Sequence, residues 1–405
     1  MEGRPEGGGN ADKYIVLGVT GSIAAYKAPL LVRAIRDAEI GVKVVMTDAA
    51  RQFITPLALE IVSENQVLWD NFQSPLSHIK LAGNAAAMII APATLNTISK
   101  FSTAIADNLL TTIFMAFHGP VIIAPAMNWR MYENPIFKDR LAYLKDKGVI
   151  EVPPERGTLA CGEEGVGRMA SVGRILHTLL RTLGSGDMKG LKVVVSSGPT
   201  REYIDPVRFI TNKSSGKMGH ALARSASLRG AIVTLISGPT SLLPPEDIEV
   251  IRVETSAGMQ RAVLEKSKDA DIVVMAAAVC DFRPERFSPG KLSRTESFNL
   301  SLNKTTDILA EVSSQRGTLK TPYITGFAAE TGDRKDRARE KLHSKGIDMI
   351  VFNDVTAKGA GFDSDTNVMS VITREDELFI PEMPKGDGAN RIFDIILRET
   401  GRGCS

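Results

Sequence analysis

Short apolar runs alternate with stretches of helical periodicity along the chain. Residues 14–19 form an apolar run that leads straight into Thr20-Gly21-Ser22. That pattern predicts a strand buried on both faces, a tight turn and a helix start. Leu30, Leu31 and Ile35 carry the helical period, Gly41 closes it, and residues 42–46 predict a second strand. Residues 85–91 and 120–124 are further apolar runs that end in proline or small residues. Strands separated by helices of about 10–15 residues imply a parallel sheet with helices on both faces. Ligands of such sheets bind outside the carboxyl ends of the strands. The segments after Val19, Met46, Ile90 and Ala124 are therefore where chemistry is expected.

The design then repeats. The segment Leu183-Gly184-Ser185-Gly186-Asp187-Met188-Lys189-Gly190 reads as a linker. Residues 191–195, ending in Ser196-Ser197-Gly198-Pro199-Thr200, open a second α/β unit. Residues 231–236 end in Ser237-Gly238-Pro239-Thr240, and residues 272–276 run into small side chains. Residues 323–327 and 349–352 are further strand candidates. Residues 368–373 with 377–380 read as a hairpin, and residues 390–398 as a closing helix. The expected division is a tail at 1–12, a first domain at 13–182, a linker at 183–190 and a second domain at 191–405. The turns differ between the halves, so the architecture is shared without a sequence repeat.

Composition narrows the function classes. The 405 residues allow two or three domains. The 49 basic and 47 acidic residues nearly cancel, which argues against a nucleic-acid or membrane-surface partner. Cys161, Cys280 and Cys404 make no disulfide or metal-ligand pattern, as expected in a reducing cytoplasm. No apolar run reaches the ~20 residues of a membrane span. The Gly-rich start reads as a disordered tail without the apolar core of a signal peptide.

Leu159-Ala160-Cys161-Gly162-Glu163-Glu164-Gly165-Val166-Gly167-Arg168-Met169 is the most informative segment. A cysteine among glycines and charges is either a reactive thiol on a mobile flap or an incidental residue in a surface loop. The turn from Gly18 to Ala24 offers N–H groups at a helix start, a suitable seat for a phosphate or simply a structural turn. It is neither a dinucleotide fingerprint nor a Walker A loop. His78, in a polar loop after Ser74-Pro75, is a candidate acid–base group or a solvated bystander. Asn128, after Pro125-Ala126-Met127, is a carboxylate-binding amide or a helix N-cap.

Taken together these segments resemble the flavin-dependent cysteine decarboxylases. The resemblance covers about the first 180 residues and rests on Gly21-Ser22-Ile23-Ala24, Ala91-Pro92-Ala93-Thr94 with Asn96, Ser77-His78-Ile79, Pro125-Ala126-Met127-Asn128 and the Cys161 flap. It implies a flavodoxin-like fold that forms homo-oligomers. FMN would be held by Gly21, Ser22, Ile23, Ala24, Thr47, Ala91, Thr94 and Asn96. The family oxidises a cysteine thiol to a thioaldehyde, from which the carboxylate leaves. The resemblance places Cys161 as proton donor after CO₂ loss, His78 near the carboxylate or thiol proton, and Asn128 on the carboxylate. The sequence departs at Ala85-Ala86 and Leu95, neither of which removes a catalytic group.

The second half has its own signature. Gly198-Pro199-Thr200-Arg201-Glu202 leads into Ile204-Asp205-Pro206-Val207-Arg208 and then Thr211-Asn212-Lys213-Ser214-Ser215-Gly216-Lys217-Met218-Gly219. The Ser/Gly stretch heading a helix is an anion site or a well-capped helix start. Asp281, after Ala276-Ala277-Ala278, contacts a sugar or metal, or starts a helix. Lys341 and Lys345, at i and i+4, clamp a triphosphate or line a solvated face.

These elements resemble phosphopantothenate–cysteine ligases over most of residues 190–400, on a Rossmann-like α/β domain. With the first half, the chain looks like a bifunctional coenzyme A enzyme. The resemblance implies that the carboxylate of 4′-phosphopantothenate attacks CTP, that pyrophosphate leaves, and that the amine of L-cysteine displaces CMP from the acyl-cytidylate. Ala276, Ala277, Asp281, Lys291, Phe327, Lys341 and Lys345 would bind CTP with Mg²⁺, whose ligands stay unassigned. Lys291 would act in acyl-cytidylate formation and Asn212 in its use. Trimers of flavin domains and dimers of ligase domains would build a dodecamer. Here the departures are larger: the family Lys-x-Lys-Lys run is Lys291-Leu292-Ser293-Arg294, Lys-Asn-Pro-Asp is Lys304-Thr305-Thr306-Asp307, and Cys280 replaces an alanine. Arg does not substitute freely for Lys, so a decarboxylase with an impaired ligase half is the alternative. An NAD-dependent flavoprotein lacks its Gly-x-Gly-x-x-Gly turn, and a non-catalytic regulatory subunit would have lost Cys161.

Overall fold

The computed structural model describes residues 14–402 apart from 74, 161, 294–298, 331–334, 355–360 and 362. The chain divides into two compact units, residues 1–183 and 184–405.

The first unit runs β1 (Tyr14–Val19), α1 (Ala28–Asp37), β2 (Gly41–Met46), α2 (Pro56–Ser63), α3 (Ser77–Asn84), β3 (Ala85–Ala93), α4 (Leu95–Ser102), α5 (Leu109–Ala116), β4 (Val121–Pro125), α6 (Trp129–Tyr132), α7 (Pro135–Asp146), β5 (Ile150–Glu151), β6 (Glu155–Thr158), β7 (Glu164–Arg168) and α8 (Val172–Leu183). Strands β1 to β5 form a parallel sheet in the order 2-1-3-4-5. That is the flavodoxin-like order, whose switch point lies between β1 and β3. The two-residue period of the strands sorts the core. Leu17, Val19 and Ile89 pack with Leu31 and Ile35 of α1 and Leu179 of α8. Val16 and Ile90 pack on the other face with Phe101 of α4, Ile113 of α5 and Leu141 of α7. Burying each such side chain contributes about 1.5–3 kcal/mol, so both helical layers are needed to cover the sheet. The first helix starts later than the pattern suggests. Ile23–Lys27 winds as a 3₁₀ turn capped by Ser22, and α1 follows with Pro29 in its first turn.

The second unit runs β8 (Lys192–Ser197), β9 (Arg201–Tyr203), β10 (Phe209–Thr211), α9 (Lys217–Leu228), β11 (Ile232–Ser237), β12 (Glu249–Arg252), α10 (Ser256–Ser267), β13 (Ile272–Met275), β14 (Phe282–Pro284), β15 (Leu302–Lys304), α11 (Ile308–Arg316), β16 (Tyr323–Glu330), α12 (Lys335–Ser344), β17 (Met349–Asp354), β18 (Thr366–Thr373), β19 (Glu377–Pro384) and α13 (Lys385–Glu399). Its main sheet has the order 12-11-8-13-16-17-18-19. The first six are parallel, the Rossmann order with its switch between β8 and β13. The hairpin β18–β19 extends the sheet antiparallel.

Two expectations are corrected. Asp187 and Met188 are not linker: Met188 is fully buried in the second core, and Asp187 pairs with Arg229 at 2.6 Å. The closing helix begins at Lys385, earlier than residue 390, with Lys385, Gly388 and Ala389 of its first turns buried.

Candidate active sites at the two switch points

A cavity of about 950 Å³ opens at the carboxyl ends of the first sheet. That is the upper end of the size range of small-molecule sites, about 300–1,000 Å³. Gly21, Ser22, Ile23 and Ala24 line it after β1, Thr47 after β2, Thr94 and Asn96 after β3, and Asn128 after β4. Thr20 ties the switch together: its Oγ1 donates to the Pro92 carbonyl at 2.7 Å and accepts the Thr94 N–H at 3.0 Å. The Asn128 side chain caps α6, accepting the Arg130 N–H at 2.9 Å, and also lines the cavity. The N-cap reading therefore holds, and the residue also stands at the cavity wall. At the rim Lys100 pairs with Asp107 at 2.6 Å and holds that carboxyl below its usual range.

The flap is the hairpin β6–β7. Its turn is closed by Leu159 N–H to Glu163 O, 2.8 Å, and Gly162 N–H to Leu159 O, 2.9 Å. The Glu163 carboxylate accepts Trp129 Nε1 at 2.8 Å and Arg130 Nη2 at 2.7 Å. Gly167 is required by packing: a Cβ would lie 2.1 Å from the Met127 carbonyl oxygen. This glycine serves close approach to the Asn128 loop and also lines the cavity. Thr158, Leu159, Ala160, Arg168 and Met169 of the flap line the cavity, while Cys161 lies outside the described residues.

Two expected flavin-site residues are placed elsewhere. Ala91 is fully buried in the core beneath the cavity. His78 stands in the first turn of α3, not in a loop, and is not among the cavity residues.

In the second unit a cavity of about 510 Å³ collects Ala277, Val279 and Asp281 after β13, Phe327 from β16, and Lys341 and Lys345 from the end of α12. Lys304 and Asp307 also line it, and Lys345 pairs with Asp307 at 2.9 Å. Asp281 precedes a strand, so it does not start a helix. Ala276 turns into the core, leaving Ala277 on the cavity side. A second cavity of about 1010 Å³ is lined by Asn212, Ser214, Ser215 and Lys217, with Arg201 and Arg252. Asn212 Nδ2 donates to Ala278 O at 3.1 Å and Val279 O at 2.9 Å, tying this loop to the end of β13. Lys291 is exposed on the segment between β14 and β15 and lines neither cavity. Arg252 was missed because nothing local marks it. It reaches the cavity only because β12 pairs with β11. Cys280 is buried with Sγ 3.4 Å from Thr200 O, and burial pushes its thiol up, so it packs and does not react.

The flavoprotein family matches residues 5–184, and the C-terminal domain of DNA/pantothenate metabolism flavoproteins matches residues 188–399. The coenzyme A biosynthesis bifunctional protein CoaBC of Bacillus subtilis (strain 168) is 42% identical over 403 residues, covering 96% of this chain and 98% of that protein. The chain belongs to the CoaBC family. The CoaBC protein of Vibrio parahaemolyticus is 40% identical over 375 residues, covering 91% of this chain and 94% of its own length. A solved CoaBC C-terminal domain is 34% identical, covers 54% of this chain and 99% of that one, and has a TM-score of 0.46. Among the described residues of this chain no helix is long and apolar enough to cross a membrane.

Proposed function

We propose that this protein ligates 4′-phosphopantothenate to L-cysteine with CTP in its second unit and decarboxylates the product with FMN in its first. Coenzyme A biosynthesis with a decarboxylase and a ligase activity is the work of the family; the nucleotide, the flavin and the residue roles are this proposal. The observation that carries it is the smaller cavity of the second unit. It gathers Ala277, Asp281, Phe327, Lys341 and Lys345 from separate segments into one site.

In the ligase, Phe327 borders the base and Lys341 and Lys345 face the phosphates. Lys291 stabilises charge as the substrate carboxylate attacks the α-phosphate and pyrophosphate leaves. Asn212 then serves the displacement of CMP by the cysteine amine. Among the described residues no group of three or more His, Cys, Asp or Glu forms a metal cage. Mg²⁺ would arrive with the triphosphate, as is usual for that ion.

In the decarboxylase, the residues present fit a flavin nucleotide: an N–H-rich turn at Gly21–Ala24, polar Thr94 and Asn96, and sufficient volume. Bound FMN would supply the two-electron oxidation and return reduction that make the cysteine carboxylate a leaving group. Asn128 orients that carboxylate, Cys161 delivers a proton after CO₂ loss, and His78 acts in the first steps. Ile23, Tyr26, Leu30, Leu57 and Ile61 leave apolar side chains more than half exposed, which supports a homo-oligomer. The test is incubation of purified protein with 4′-phosphopantothenate, cysteine and CTP. The expected products are pyrophosphate, CO₂ and 4′-phosphopantetheine. No CTP-dependent pyrophosphate would overturn the ligase assignment, and stalling at 4′-phosphopantothenoylcysteine the decarboxylase one.

A further inference from the structure

Asp205 is fully buried, yet no step above uses it. It sits in the turn between β9 and β10. Its carboxylate accepts the N–H groups of Val207 at 2.8 Å and Arg208 at 2.8 Å, and Arg208 Nη1 lies at 3.3 Å. Those donors belong to its own turn, as in any Asx turn. The remaining donor does not: Leu292 N–H, 87 positions along the chain, reaches Asp205 Oδ2 at 3.2 Å. A second tie runs beside it, Ser288 N–H to Ile204 O at 2.9 Å. The segment between β14 and β15 is thus docked on the β9–β10 turn one residue from Lys291.

A buried carboxylate is costly unless its charge is answered. Burial works to raise this carboxyl, and the N–H groups of Val207, Leu292 and Arg208 with the Arg208 guanidinium outweigh it, leaving it below the usual range. The charge is therefore kept, and the Leu292 N–H is part of what keeps it. The same short ribbon ends at Thr211, beside Asn212, whose amide grips the end of β13. One element thus ties down both residues to which the half-reactions are assigned.

We propose that Asp205 is a positioning residue of the ligase, fixing through the Leu292 N–H the backbone that presents Lys291 to the reacting carboxylate and α-phosphate. This rests on the role given to Lys291. The test uses the full-length protein and measures CTP-dependent pyrophosphate release for Asp205→Asn, Lys291→Gln and the double variant. The Asn carbonyl can still accept from its own turn, but its NH₂ would face the Leu292 N–H. Asp205→Asn should slow release about tenfold or more, since small misplacements are costly, and shift the Michaelis constant for CTP by less than about threefold. In the double variant the residual rate should equal that of Lys291→Gln alone. CO₂ release from supplied 4′-phosphopantothenoylcysteine should stay native. Leu292→Pro, which removes the same donor while also fixing φ at that position, should reproduce the kinetic loss and covers the case in which Asp205→Asn fails to fold. Losses that multiply in the double variant, or native rates in Asp205→Asn and Leu292→Pro, would overturn the proposal. Native pyrophosphate release by Lys291→Gln would overturn the role of Lys291 and this inference with it.

Discussion

Asn212 shows how much a single amide can decide. Its Nδ2 spans two carbonyls at the end of β13, and only a donor can do so. Asn212→Asp puts a carboxylate against those two oxygens, and on this exposed loop the lost donor costs about 1 kcal/mol. The variant should release pyrophosphate but accumulate acyl-cytidylate, about 10–100-fold slower in the second step. Lys291→Gln should instead suppress pyrophosphate release. Quenched-flow mass analysis separates the two, and identical defects would refute the division. Ser293 is exposed beside Leu292, and one exposed charge there contributes about 1 kcal/mol or less. Ser293→Lys should lower the Michaelis constant for CTP within about tenfold and leave the turnover number nearly unchanged. A rise in turnover by orders of magnitude would mean that this chain's ligase is impaired as it stands. Residues on strand ends were legible in the sequence, because the strand period and the turn after it fix where they stand. Gly21, Thr94, Asn128 and Asp281 all line cavities as that logic requires. His78 and Lys291 were not: His78 heads a helix whose start no capping side chain marks, and Lys291 lies on an irregular connection that carries no period.

Helix α9 carries the consequence of packing at the level of elements. It starts at Gly216, in the left-handed region at φ 80°, and lies so close to β8 that a Cβ on Gly219 would meet Ser197 Cβ at 2.5 Å. The same contact buries His220, whose Nδ1 lies 3.0 Å from Ser197 Oγ and 3.1 Å from Gly216 O. Burial lowers its pKa. In the window between that lowered value and about 6.5, the unfolded chain binds the proton more readily than the folded unit, so stability falls as pH falls through it. Thermal unfolding of the second unit should show this slope on acidification below about pH 6.5, and His220→Gln should flatten it. An unchanged slope would mean that other groups carry the acid sensitivity. The elements the sequence hid are those without a period. β9 and β10 have three residues each, too few to show alternation. The first turn of α13 reads Lys385-Gly386-Asp387-Gly388, the composition of a loop, and is helical only because tertiary packing overrides propensity.

At the scale of the whole molecule, alternating strand and helix patterns revealed two α/β halves, but not their strand orders. Local pattern does not say which strand a given strand pairs with, and the switch points exist only once pairing is known. Each unit encloses its own core: Leu17, Val16 and their neighbours in one, Val193, Ile272 and theirs in the other, with no member shared among the described residues. Each is also of single-domain size, within about 50–250 residues. A chain cut between residues 183 and 184 should therefore yield two fragments that unfold cooperatively at separate midpoints. The first should turn yellow with FMN, and the second should release pyrophosphate from CTP and 4′-phosphopantothenate. FMN at about 100 times its dissociation constant stabilises whatever binds it by about 2.7 kcal/mol. In the intact, flavin-stripped protein it should raise the first unit's transition by about 5–10 °C and leave the second in place. A shift of both transitions together would show that the two cores fold as one. A colourless first fragment would remove the flavin from the cavity at the β1–β3 switch.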